Sequence, residues 1–113
     1  MSFKSSTEAN EHLKKVLSIL GDNWQGRIWD NLGWHCSWQW GSVTLHYTPQ
    51  SKMYCVLIGD PGGCGGHVDL SRDLVASEDP IEVIRASCDS ALQVIADSWK
   101  PIESSVSRVR LSL

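Results

Sequence analysis

The sequence predicts an α+β domain, with two helices packed on one face of a three- to four-stranded antiparallel sheet in the order α-β-β-β-α and a candidate strand at the C-terminus. Three observations carry this expectation. Trp34, Cys36, Trp38 and Trp40 alternate with His35, Ser37 and Gln39, the period-two pattern of a strand with one buried and one solvated face. Val43 to Thr48 alternates in the same way, with Val43, Leu45 and Tyr47 opposite Thr44, His46 and Thr48. Segments before and after this region carry apolar stripes at helical spacing and need an apolar sheet face to cover.

The first helix is predicted over Ser6 to Leu20. Ser5 and Glu8 have capping-box spacing, and Leu13, Val16, Leu17 and Leu20 fall at i, i+3, i+4 and i+7. Gly21 follows as a residue that can end a helix at positive φ. Trp24 to Leu32 reads as a short helix or an irregular segment, because Gly26 interrupts the stripe of Trp24, Ile28, Trp29 and Leu32.

Gly41-Ser42 is a two-residue hairpin turn. It fixes the register arithmetically, pairing Trp40 with Val43, Trp38 with Leu45 and Cys36 with Tyr47 on one face. Gln39 then pairs with Thr44, Ser37 with His46 and His35 with Thr48 on the other, so both apolar sets agree. Pro49 to Lys52 turns the chain into a third strand, Met53 to Ile58. Pairing Thr48 with Met53 sends Tyr54, Val56 and Ile58 to the core and Met53, Cys55 and Leu57 to the open face.

Residues 59–66 contain five glycines and read as a loop; His67 to Ser77 is expected to be irregular or to hold a short edge strand. Asp79 and Pro80 are the N-cap and first residue of the second helix, whose stripe is Ile81, Ile84, Cys88, Leu92, Ile95 and Trp99, with Pro101 closing it. The alternation of Val109, Leu111 and Leu113 with Arg108, Arg110 and Ser112 makes the tail the candidate fourth strand.

Composition narrows the function classes. A chain of 113 residues forms one domain that buries roughly two-thirds of its unfolded surface. The net charge is −3, and the ten basic residues form no run, which disfavours nucleic acid as a partner. No stretch reaches the length of a membrane helix, and the first residues lack the apolar core of a signal peptide, so the expected location is the cytoplasm. Cys36, Cys55, Cys64 and Cys88 form no CxxC pair; Cys36 and Cys88 lie on core faces, where Cys behaves as a small hydrophobe.

Each candidate chemistry falls short of its template. The glycine loop lacks the Lys-Ser/Thr of a P-loop and the βαβ setting of a dinucleotide site. Cys64 and His67, with His35, His46 and Cys55, could supply zinc ligands, but their spacing matches no zinc signature. A Cys55–His46 nucleophile on flat strands lacks oxyanion donors and a cleft. Asp69, Ser71 and Asp73 lack the Gly and distal Glu of a calcium loop. The tryptophans of the strand share their face with Val43, Leu45 and Tyr47, which assigns them to the core rather than to a stacking platform. No cofactor or metal is expected.

The order helix, three-stranded meander, helix resembles the layout of double-stranded-RNA-binding domains, without that family's basic helix start or His-bearing loop. The segment from Trp29 to His35, and the size of the chain, resemble small proteins encoded by phages and prophages. That resemblance implies an accessory factor or an inhibitor of host defence, such as an anti-CRISPR, that occupies a host protein's surface.

The expected function is a non-enzymatic protein-binding module, with a homodimer as a further expectation. One alternative is a small enzyme or metal-binding protein using the Cys and His residues of the open sheet face and glycine-rich loop, and the other is a double-stranded-RNA-binding-like domain. The expected surface joins His35, Ser37, Gln39, Thr44 and His46 to the apolar Met53, Cys55 and Leu57, and continues into Asp60, Cys64 and His67 of the glycine loop. Mixed polar and apolar composition suits an interface better than a fully solvated face.

Overall fold

The computed structural model describes residues 5–30, 34–59, 76–98 and 103–113. The elements are α1 (Ser6–Leu20), β1 (Gln25–Trp29), β2 (His35–Trp40), β3 (Val43–Thr48), β4 (Met53–Ile58), α2 (Pro80–Ser98) and α3 (Glu103–Leu111). The fold is α+β, with one antiparallel four-stranded sheet in the order β1-β2-β3-β4.

α1 forms over the predicted residues. The Ser5 hydroxyl accepts from the Glu8 N–H at 3.3 Å, one of the backbone donors that a helix start leaves without a helical partner. Gly21 ends the helix at φ +99° and donates its N–H to the Leu17 carbonyl. The hairpin between β2 and β3 has the register the turn demands, with Trp38 opposite Leu45 and Ser37 opposite His46. Gly41 takes φ +61°, the sign a primed turn needs. β4 follows in the predicted register, Thr48 opposite Met53 and Val43 opposite Ile58.

Two segments differ from the sequence reading. Residues 25–29 are a strand, not a short helix or irregular segment: β1 lies antiparallel to β2, with Gly26 opposite Trp38 and Ile28 opposite Cys36. Gly26 belongs there because α1 crosses close above it. A Cβ at this position would sit 2.9 Å from Leu13 Cδ1 and 3.1 Å from Leu17 Cδ1, so the absent side chain lets the helix approach the strand. The tail is the helix α3, not a fourth strand. Its Val106 and Val109 are fully buried, while Leu111 is 79% exposed, as helical spacing requires. Arg110 pairs with Asp89, and Arg85 donates to the Leu113 carbonyl, tying α3 to α2.

The buried face of the sheet consists of Cys36, Trp38, Val43, Leu45, Tyr47, Tyr54, Val56 and Ile58. α1 lies against it: the Cys36 thiol donates to the Ala9 carbonyl, and Trp38 Nε1 donates to the Leu13 carbonyl at 3.2 Å. His12 of α1 stacks among Tyr47, Tyr54 and Trp38, with its Nε2 2.9 Å from the Tyr54 hydroxyl. Val83, Ile84, Cys88 and Ala91 of α2 join the same core as Val106 and Val109, so Cys36 and Cys88 are both core residues. α2 begins as predicted, with the Asp79 carboxylate accepting from the Ile81 and Glu82 N–H groups. Ile84 and Cys88 are buried, and Ile81 and Leu92 pack beside them; the predicted Trp99 contact and the stop at Pro101 lie outside the described residues, as does the side chain of Ile95. Ser77 makes an isolated bridge to Tyr54; the residues expected to be irregular just before it, and the glycine loop from Asp60, also lie outside them.

Candidate functional site

The pleat brings side chains from every strand to the open face. Because β1 pairs in register with β2, Gln25 lies opposite Gln39 and Arg27 opposite Ser37. The pairing continues through Thr44 to Leu57 and through His46 to Cys55. A groove of about 410 Å3 is lined here by Gln25, Gly26, Arg27, Trp29, Ser37, Gln39, Thr44, His46 and Leu57. Five of these, Ser37, Gln39, Thr44, His46 and Leu57, were predicted from the sequence. Met53 and Cys55 share the open face through their register with Thr48 and His46 but do not line the groove. His35, opposite Trp29 at the other end of β1, does not line it either, and its buried Nε2 has no hydrogen-bond partner among the described residues. Asp60, Cys64 and His67 lie outside the described residues.

Gln25, Arg27 and Trp29 were missed because β1 was missed. Their alternation with Gly26 and Ile28 is the period-two signal that would have placed them.

Trp29 and Arg27 give the groove its most ordered feature. Trp29 Nε1 donates to the Ser37 hydroxyl at 2.9 Å, which fixes the indole against β2 although the residue is 39% exposed. The Arg27 guanidinium lies over the indole, 3.8 Å from the ring centroid. A cation stacked on an aromatic ring at an exposed position gains about 0.5–1 kcal/mol, enough to bias the rotamer of a long side chain. Leu57, 36% exposed, adds an apolar surface. Gln39 donates its side-chain amide to the Gly41 carbonyl at 3.1 Å, which orients it at the groove edge.

His46 and Cys55 lie opposite each other across β3 and β4, but their chemistry does not suit a nucleophile. Burial, followed by the neighbouring His35, lowers the His46 pKa, and burial raises that of the Cys55 thiol. Both shifts favour the neutral forms, whereas a thiolate–imidazolium pair needs the thiol pushed down. Among the described residues, no three His, Cys, Asp or Glu side chains converge as metal ligands would. No described helix is long and apolar enough to cross a membrane.

No family model matches the chain, and neither does any curated protein or solved structure. The helix, three-stranded meander, helix order behind the likeness to RNA-binding domains is not the order in which the chain folds, because β1 precedes the meander and α3 follows α2.

Proposed function

We propose that the protein is a non-enzymatic binding module whose open sheet face docks a protein partner. The observation that carries this reading is the exposed Trp29 and Leu57 on a groove whose other described side chains are polar, with Arg27 stacked on the Trp29 ring. Trp and Arg are, with Tyr, the residues enriched at energetic centres of protein interfaces. A large apolar side chain set among polar groups gains nothing from solvent and gains on contact with a partner. The neutral His46 and Cys55 fit a contact surface better than a reaction centre. The narrower form of the proposal, a phage-type inhibitor such as an anti-CRISPR that occupies a host protein's surface, adds the resemblance of Trp29 to His35.

The test is affinity capture with three proteins: the wild type, Leu57→Glu, and Leu111→Glu as a control on α3. The expected outcome is a discrete partner retained by the wild type and by Leu111→Glu and lost by Leu57→Glu, with all three giving the same far-ultraviolet circular dichroism. Equal retention by a folded Leu57→Glu protein would remove the open face from the account.

A further inference from the structure

The open-face groove has an uneven charge, and that unevenness specifies what would fill it. The chain as a whole carries −3. Yet among the described residues the groove lining holds no acidic residue, and Arg27 is its one formally charged side chain there, since the lowered pKa of His46 keeps that imidazole neutral at neutral pH. Among the described residues, Arg27 has neither a carboxylate partner nor a hydrogen-bond acceptor, whereas Arg110 pairs with Asp89. What holds Arg27 is the Trp29 ring at 3.8 Å, and that ring is itself held by the Ser37 hydroxyl.

Stacking engages the flat face of a guanidinium and leaves its N–H donors, which lie in its plane, directed outward. A stacked arginine is therefore prepared for a planar, two-oxygen acceptor at little further cost in side-chain entropy.

We propose that the groove takes an acidic segment of a protein partner, with one Asp or Glu carboxylate held bidentately by the Arg27 guanidinium against Trp29. This inference rests on the reading of the open face as a protein interface and adds the chemistry of the partner. Charge balance selects a carboxylate over a phosphate or a nucleic acid, because a single cation neutralises one carboxylate and leaves a phosphate dianion or a polyanion largely uncompensated. Gln25 and Thr44, on the same rung as Gln39 and Leu57, supply neutral amide and hydroxyl groups that can contact a peptide backbone. Leu57 supplies the apolar flank.

The experiment uses two displayed libraries of extended peptides, identical except that one carries Asp or Glu at the central position and the other Asn or Gln. The full-length wild type is screened with Arg27→Lys, Arg27→Gln and Leu57→Glu, each first shown to be folded by circular dichroism. The wild type should bind acidic peptides about 10- to 100-fold more tightly than their amide counterparts, the ratio for a charge-assisted bidentate contact. Arg27→Gln should abolish that ratio, and Arg27→Lys should lose most of it, because an ammonium keeps the charge without the planar fork. Equal binding of acidic and amide peptides, a preference that survives Arg27→Gln, or displacement by inorganic phosphate more readily than by acetate would each overturn the carboxylate assignment. If the peptides still need Leu57 in those cases, the interface itself stands. Failure of both libraries to give a peptide that is lost on Leu57→Glu would instead overturn the interface reading, and the carboxylate inference with it.

Discussion

Trp38 and Gly26 show how far single residues determine this fold. Trp38 has no exposed surface, and its indole donates to the α1 backbone at Leu13. Trp38→Ala should therefore cost roughly 3–5 kcal/mol, the range for a buried aromatic that leaves a cavity. His35→Ala, on the open face, should cost under about 1 kcal/mol. Denaturant titration giving the reverse ranking would refute the face assignment. The side chain absent at Gly26 matters as much as the one present at Trp38. A Cβ there would meet Leu13 and Leu17 at 2.9–3.1 Å, so Gly26→Val should destabilise by about 1–3 kcal/mol through overpacking. A variant as stable as the wild type would mean that α1 does not rest on β1. Trp38 could be assigned from the sequence because its burial follows from a local alternation. The role of Gly26 depends on a helix that ends before it in the chain, and local pattern carries no trace of that contact.

At the scale of elements, legibility followed whether the determining signal was local. α1, the β2–β3 hairpin, β4 and the start of α2 were all readable, because a cap, a two-residue turn or a Pro at the first helical position acts within a few residues. β1 was hidden by its glycine, and with it went Gln25, Arg27 and Trp29, a third of the described residues that line the groove. The tail was ambiguous in a different way. Val109, Leu111 and Leu113 satisfy a strand period, while Val106, Val109 and Leu113 satisfy a helical one. Burial of Val106 and Val109 in the core resolves it as helix. Val106→Asp should accordingly unfold the domain or reduce its stability severely, because it buries an unpaired charge, whereas Leu111→Asp should change stability by less than about 0.5 kcal/mol. If Leu111→Asp proves the more damaging in thermal melts, the tail is not the helix described.

The whole molecule couples its two faces to pH through two histidines. Burial and then Lys15 lower the pKa of His12, in the aromatic cluster of the core; burial and then His35 lower that of His46, on the open face. In the unfolded chain both titrate near the ordinary value of 6.5. Below that pH the unfolded state binds protons that the folded state does not, so stability should fall as pH drops through about 6.5 toward the lowered folded values. The urea midpoint should therefore be lower at about pH 5.5 than at about pH 7.5, and His12→Gln combined with His46→Gln should flatten the difference. A midpoint that rises on acidification would contradict the assignment of neutral histidines. Neither histidine alters the central claim, that the face bearing Arg27, Trp29 and Leu57 is the surface a partner occupies. The most direct test of it places the photoreactive residue p-benzoylphenylalanine in place of Leu57, or of Leu111 as a control, and irradiates each protein in a cell lysate. The account predicts a covalent adduct of one discrete mass from position 57 and none from position 111. Adducts from position 111 alone, or equal diffuse labelling from both, would contradict it.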